Sequence, residues 1–536
     1  MFLTAFLLGS GLLLAIFVQP AARGSTTGVR AGGVFRISLE GLDYIDPALS
    51  YSSEGWALID TTCARLMTYP DKPPPEGYQL VPEVAAGYPG VSRDGKTYTF
   101  TLRSGYRFSD GTPVRANAFA RAINRTLAPG VRSAGAQYTQ DIVGAEDVQA
   151  GKTASAVGVH ARGNRLLVRL KRPVPDFPAR LTMPFFCAVP PTLPADPEGV
   201  GVFPGAGPYY VAEYRLGERM VIKRNRFYGG KRPHHVDGFA VDLRANSSQE
   251  VLDRIELGEA DWGQAGPPFY FDPARRLVAK YGVNRSQFFV KPGLDLVGFA
   301  LNSSRPLFRN NPRLRRAINF AIDRRALVLA RGTPLFARTT DQYLPAGLPG
   351  FQAARIYPLS GPDLRRARAL AHGHTRSGKA VLYTFDAPPT LVTAQIVSQN
   401  LAKIGLDVEV KGIPFPAYFG RLNARDEPYD IAFFAWAPDY LDPFAYINLL
   451  LDGRFIGANN SARFNSAYYN ALMRRAARLQ GGARYRAYGR LDVQLARDAA
   501  PLVPVFHPNA ATLVSKRVGC VVVRPLLDLT AVCLKR

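Results

Sequence analysis

The chain lacks the short motifs that mark common catalysts. It has no G-x-S-x-G nucleophile elbow, no H-E-x-x-H zinc pair, no Walker phosphate loop and no G-x-G-x-x-G dinucleotide turn. Histidine and cysteine are scarce, at 6 and 4 in 536 residues. No C-x-x-C occurs and no cysteine pair has metal-site spacing, so no zinc or redox centre is expected. His234-His235 and His372/His374 read as surface residues, because adjacent positions of an extended chain point to opposite faces and rarely share one ion. Asp439 and Asp442 could in principle do acid–base work, but no nucleophile or metal set accompanies them. The expectation is a protein that is not an enzyme and carries no metal or cofactor.

Negative charge is also in short supply. There are 42 acidic against 67 basic residues, a formal net charge of +25, and lysine supplies only 13 of the basic ones. The densest arginine groups, Arg313/Arg315/Arg316 and Arg365/Arg366/Arg368, fall at helical spacing beside apolar residues, which is the pattern of solvated helix faces. No nucleic-acid-binding motif is present, so no nucleic-acid partner is expected. Internal repeats and low-complexity segments are absent. Hydrophobic residues make up 47% of the chain, enough for a globular core, and the length calls for two or three lobes.

One long apolar run exists, Phe2 to Val18, followed by the small residues Ala21, Ala22 and Gly24. Residues 1–24 therefore read as a secretory signal peptide, or as an N-terminal anchor that 17 apolar residues barely allow. Either reading puts the bulk of the chain outside the cytoplasm. An even number of cysteines in an exported protein favours disulfides. Cys520 and Cys533 flank a short apolar strand and a proline-containing return, so a local bridge is expected there, with Cys63 and Cys187 as the remaining pair.

Strand and helix patterns alternate along the chain. Tyr98, Phe100 and Leu102 alternate with threonines after the turn at Asp94-Gly95. Phe289 to Leu301 is extended but broken at Pro292-Gly293, a candidate crossing between lobes, and Leu502 to Phe506 could carry the chain back. Asn311-Pro312 predicts a helix start. Leu391, Ala394, Val397, Leu401 and Ile404 form a helical stripe stopped by Gly405, and Leu406, Val408 and Val410 alternate next. Ile431 to Ala435 then reads as a buried strand, broken at Pro438 and followed by a loop with Trp436, Asp439, Tyr440 and Asp442. Such a strand end is where open α/β folds place ligands.

Six stretches, in order, resemble one family. Leu80 to Ala85 (LVPEVA) and Ser92 to Ala116 (SRDGKTYTFTLRSGYRFSDGTPVRA) come first. Gly205 to Tyr209 (GAGPY), Arg224 to Tyr228 (RNRFY), Leu301 to Arg324 and Trp436 to Pro443 (WAPDYLDP) follow. They are similar to the signatures of the extracytoplasmic solute-binding proteins of ABC importers, in the peptide- and nickel-binding class known as family 5. The matches run from about residue 80 to residue 443.

The resemblance implies an α/β, two-lobed periplasmic-binding-protein-like fold (type II, cluster C) with an inserted subdomain. Lobe I would be discontinuous, at 30–58, 203–285 and 506–536. The insertion would be 59–202, and lobe II 286–505. A peptide, or another small solute such as a metal chelate, sugar or opine, would bind between the lobes of a monomer and be delivered to an ABC permease in the membrane. Carried over residue by residue, Asp439 would hold a ligand α-ammonium, with Trp436, Tyr440 and Phe415 walling the cleft and Tyr51 and Trp56 contributing from lobe I. Pro438 stands where the family usually has alanine, and Ser466 where many members have an aspartate opening a helix. A basic surface protein of signalling or adhesive function is the alternative of a different class.

Overall fold

The strand Leu502–Leu513 is 12 residues long and is shared by two halves of the molecule. Its first part pairs antiparallel with Leu296–Leu301, in a register that sets Phe299 opposite Val503. Its second part pairs antiparallel with Phe288–Pro292, setting Phe288 opposite Leu513. The extended segments expected on either side of Pro292-Gly293 and at Leu502 to Phe506 thus lie side by side as strands, and the last of them runs on past Phe506. In this computed structural model the described residues are 29–30, 32–263, 271–330, 334–524 and 527–535. The apolar run read as signal peptide or anchor lies outside them.

The sheet built on these crossings has seven strands, with Ala337–Thr339 paired to Leu502–Leu513 at its side. Its order is Phe288–Pro292, Leu502–Leu513, Leu296–Leu301, Ile431–Trp436, Lys379–Phe385, Asp407–Ile413. The last three strands are mutually parallel. The helices Pro388–Ala402 and Phe415–Asn423 connect them in the chain, as β-to-β crossovers of parallel sheets require.

Leu296–Leu301 alternates in period two. Val297, Phe299 and Leu301 face a core shared with Leu314, Ile318, Ala394 and Val397, while Leu296 and Ala300 face a core shared with Phe444, Ile447 and Leu491. Gly298 sits between them because a Cβ there would come within 2.2 Å of the Val503 carbonyl oxygen. The helix Pro312–Ala321 begins as its sequence predicts, with Asn311 Oδ1 accepting from the Leu314 amide. Ser466 does the same for Ala467–Ala477, accepting from the Tyr469 amide, so serine fills the cap where the family often has aspartate.

The other half is built on a four-stranded sheet in the order Val34–Ser38, Gly238–Asp242, Arg219–Arg224, Tyr209–Arg215. Its core joins Phe35, Ile37, Tyr209, Ile222 and Phe239 to the chain's end at Val532 and Leu534. A second four-stranded sheet holds Thr97–Thr101, where Tyr98, Phe100 and Leu102 turn inward as predicted. The fold is two-lobed α/β. One buried cluster runs from Phe100, Phe119 and Phe185 across to Tyr440, Phe444 and Leu491, so the region around residues 64–206 packs directly on the helices that follow the Trp436–Pro443 loop.

Two disulfides and one ion network tie distant segments together. Cys63 joins Cys187 and Cys520 joins Cys533, with Cα separations of 5.3 and 4.9 Å. Val29–Arg30 pairs with Cys533–Lys535, so the start of the described chain is held by a strand that the second disulfide clamps. Arg232 bonds to Asp60 and lies near Asp71, while Arg524 pairs with Asp71 and Asp528. These charges are largely withdrawn from water. Burial pushes Asp528 up to about 7 even with Arg524 beside it.

Candidate functional site

The loop after Ile431–Trp436 is shaped by what its neighbours do with each side chain. Asp442 caps the helix Pro443–Leu451, its Oδ1 accepting from the Phe444 amide at 2.8 Å, with proline in the first turn where no amide donor is needed. The same carboxylate receives both prongs of the buried Arg484 guanidinium, at 2.7 and 3.1 Å. Tyr440 points inward, only 3% exposed, and its hydroxyl donates to Asp176 Oδ2 at 2.6 Å. Asp176 is itself paired with Arg180. Burial alone would raise the Asp176 carboxyl, but the Arg180 charge and the Tyr440 hydroxyl hold it below the usual range.

Asp439 is treated differently. It has no basic partner among the described residues. Its Oδ1 accepts from the Tyr51 hydroxyl at 2.9 Å and its Oδ2 from the Tyr138 hydroxyl at 2.6 Å. These contacts span 388 and 301 positions of chain, joining the loop to an N-terminal turn and to the region around residue 138.

Tyr51 is held in place by a compact polar turn. Asp43 accepts from the backbone amides of Tyr51 and Ser52, at 2.6 and 2.8 Å, and from the hydroxyls of Ser50 and Ser52. Burial would raise Asp43, yet these donors bring it below its ordinary value. Ser52 then caps the helix Ser53–Thr62, which carries Trp56. The Trp56 indole N–H donates to the Ser50 carbonyl at 2.9 Å. This helix ends at Thr62, and Met67 already belongs to a short strand.

The rings form a continuous wall. Tyr51 lies 5.7 Å from Trp56 and 5.7 Å from Phe185, and Trp56 meets Phe185 edge-on at 5.5 Å. Tyr138 stacks on Phe185 at 6.4 Å and meets Tyr440 edge-on at the same distance. Burial first, and then the Asp439 charge, push the Tyr51 phenol up to about 12 and raise Tyr138 as well. Both phenols therefore stay protonated at neutral pH and act as donors. Across the loop, the Trp436 indole N–H is shielded from water and has no acceptor among the described residues.

The structure thus brings Asp439, Tyr51 and Trp56 together, with Trp436 at the end of the strand that leads into the loop. Tyr440 lies behind the wall rather than on it, because its hydroxyl is consumed by Asp176. Phe415 opens the helix Phe415–Asn423, but its side chain lies outside the described residues. Tyr138, Phe185, Asp43 and Asp176 carry no motif that single-sequence reading could seize on. Tyr138 lies in a stretch of small and polar residues with no periodicity.

A two-lobed α/β molecule in which a carboxylate is held by neutral hydroxyls and aromatic rings from distant parts of the chain has, in class, the makings of a solute-binding protein. The chain belongs to the bacterial extracellular solute-binding proteins, family 5, whose model, described as the family's Middle region, matches residues 79–457. Members of this family are binding proteins rather than enzymes, and they work outside the cytoplasm. The chain is 25% identical over 499 residues to the probable D,D-dipeptide-binding periplasmic protein DdpA of Escherichia coli, covering 90% of each. It is 26% identical over 461 residues to the periplasmic oligopeptide-binding protein OppA of the same organism, covering 80% of this chain and 81% of that one. Among solved structures, it superposes on clavulanic acid biosynthesis oligopeptide binding protein 2 with a TM-score of 0.84 and 26% identity, covering 95% and 96% of the two chains.

Proposed function

We propose that this protein is the peptide-capturing component of an ABC importer. It takes peptides into the cleft between its lobes, closes about its hinge and delivers them to a membrane permease. One observation carries the reading: Asp439 is a carboxylate in an aromatic-walled site whose partners are neutral hydroxyls, so its charge is unmatched until a cationic group arrives. A peptide's α-ammonium supplies that charge, and charge-assisted bonds in a site that excludes water are the strong ones. Tyr51 and Tyr138 fix where the carboxylate points. The Trp436 N–H has no acceptor among the described residues, which favours a ligand carbonyl as its partner once the site rearranges to admit one. Asp439, Trp436, Tyr51, Trp56 and Tyr138 are the contacts we assign, with Tyr440 as their support and Phe415 retained as a further wall.

The lobes we assign are 30–58 with 203–285 and 506–536, and 286–505, with 59–202 as the inserted subdomain. The strands Phe288–Pro292, Leu296–Leu301 and Leu502–Leu513 support a hinge where the chain passes between the two lobes. The names of the relatives favour peptides over chelates, sugars or opines.

A thermal-shift screen of the exported protein against mixed di- to hexapeptides tests this reading. A bound ligand at 100 times its Kd stabilises by about 2.7 kcal/mol, a shift that is easily read. Peptides are expected to raise the melting temperature. A selective response to a non-peptide solute, with none to peptides, overturns the peptide assignment and leaves the fold untouched.

A further inference from the structure

The basic surplus is matched unevenly. On and beside the four-stranded sheet of Val34–Ser38 the arginines have carboxylate partners: Arg36 pairs with Asp261, Arg219 with Glu213, and both Arg244 and Arg254 with Asp242. Residues 301–400 are different. They hold 15 of the lysines and arginines and only 4 aspartates or glutamates, so under a fifth of the chain supplies 11 of its 25 surplus charges.

The fold gathers much of this charge on one ridge. The helices Pro312–Ala321 and Leu364–Ala371 pack side by side. Asn311 Nδ2 donates to the His374 carbonyl at 2.8 Å and Arg376 donates to the Arg309 carbonyl at 2.8 Å, drawing the next loop onto the pair. Arg309, Arg313, Arg365, Arg366, Arg368 and Arg376 are all exposed. None of the six forms an ion pair with a carboxylate among the described residues. The nearby acids are engaged locally: Asp363 caps the helix Leu364–Ala371 through the Arg366 amide, and Asp323 accepts from the Ala326 amide. Arg313 instead faces His374 at 3.5 Å, and Arg366 lies over the Phe320 ring at 4.3 Å. Leu314, Ala317, Ala367 and Ala371 anchor both helices in the core on the opposite side of the seven-stranded sheet from Tyr440 and Phe444. The ridge is therefore separate from the solute site.

We propose that this ridge docks the protein on the anionic phospholipid surface of the membrane that holds its permease, an inference that rests on the importer reading above. Guanidinium groups bind phosphate oxygens as planar forks and keep their charge at any physiological pH. A folded protein partner is held by an apolar core ringed by polar groups, whereas this ridge is cationic throughout and spread over two helices and a loop, which suits an extended layer of phosphates. Docking would hold the protein near its permease by charge alone.

The test is co-sedimentation of the full chain, without peptide, on phosphatidylcholine vesicles with and without a third of phosphatidylglycerol, at low and high salt. The quantity read is the difference between anionic and neutral vesicles. Binding is expected on anionic vesicles, with loss at high salt, where the screening length falls to about 3 Å at 1 M. The triple variant Arg365→Gln/Arg368→Gln/Arg376→Gln should weaken it at least about tenfold, and charge reversal with Glu more so. The control Arg219→Gln/Arg244→Gln, which removes paired arginines, should change it less than about twofold. Melting curves verify that each variant is folded, and peptide affinity, read separately, should be unchanged in the triple variant. No preference for anionic vesicles, or an equal loss in the control, overturns the proposal. Loss of peptide binding throughout, with vesicle binding intact, would instead count against the importer reading.

Discussion

Asp439 and Asp442 share one loop, three residues apart, and the fold gives them opposite company. Asp442 is matched within its own half of the molecule by a buried guanidinium and a helix amide. Asp439 reaches across to two tyrosine hydroxyls and, among the described residues, to no cation. An aspartate whose charge is already met locally is part of the frame. One that is held by neutral donors from elsewhere in the chain is available to a ligand. Residue type and loop are the same for both; Pro443 marks Asp442 locally as a helix cap, and the long-range partners that the fold delivers complete the distinction.

The largest effect that separates them is on stability. Asp442→Ala removes a helix cap and leaves the Arg484 guanidinium, 7% exposed, as an unpaired buried charge. Breaking a buried pair in this way costs about 3–5 kcal/mol. Urea unfolding should show that loss with little change in slope. A loss below about 1 kcal/mol would mean that Asp442 is not structural, and the contrast would collapse.

Asp439→Ala should do the reverse. No cation is stranded by the change, so the unfolding midpoint should move little. Affinity for free-amine peptides should fall by about 10- to 150-fold, since a hydrogen bond to a charged group contributes about 1.5–3 kcal/mol. The same peptides with an acetylated N-terminus should bind the variant and the parent alike. Calorimetric titration reads both, and an equal loss for the two ligand sets would sink the ammonium role.

Much of the frame was legible in advance because its signals are local. Period-two alternation gave Thr97–Thr101, the Asn311-Pro312 pair gave a helix start, and the break at Pro292-Gly293 gave the gap between two strands. The site was legible only in part. Asp439 was reached through the motif around it, and Tyr51 and Trp56 through their place in the family pattern. Tyr440 looked like a neighbour of equal standing, but a single-residue step along the loop turned it inward to Asp176, 264 positions away. Tyr138 could not be found at all, because its partner lies 301 residues downstream and no local pattern encodes such a pairing. The basic ridge was half legible: its helical spacing was seen, but that its arginines lack carboxylates became visible only with the neighbours in place.

The pH dependence of binding sharpens the comparison next. Tyr51 is pushed up to about 12, so it remains a neutral donor across the range in which a peptide's α-amine, with a pKa of about 8, loses its proton. The amine's pKa rises when it is bound beside a carboxylate. Binding is therefore fully present below the free amine's pKa and is lost as pH rises through the bound value. Affinity should be flat from about pH 6 to pH 7.5 and then fall, approaching tenfold per pH unit between the free and the bound amine's pKa values and levelling off above the bound one. An N-acetylated peptide should show no such fall. A decline shared by both peptides would place the titration in the protein rather than in the ligand.

The smallest expected effect separates the two tyrosines that hold Asp439. Tyr138 is 9% exposed and Tyr51 48%, though their bonds to the carboxylate differ by only 0.3 Å. When Tyr51→Phe removes its hydroxyl, water can take the place beside Oδ1. When Tyr138→Phe does the same at Oδ2, the vacancy is enclosed by Phe185 and Tyr440 and is harder to rehydrate. A buried acceptor left unmet costs about 1–3 kcal/mol, while an exposed one costs little. Tyr138→Phe should therefore weaken free-amine peptide binding by about fivefold or more, and Tyr51→Phe by no more than about twofold. Equal effects in calorimetry would show that burial does not rank these donors. A larger effect for Tyr51 would place the ligand's ammonium on the open side of the carboxylate, where Tyr51 and the incoming cation share Oδ1.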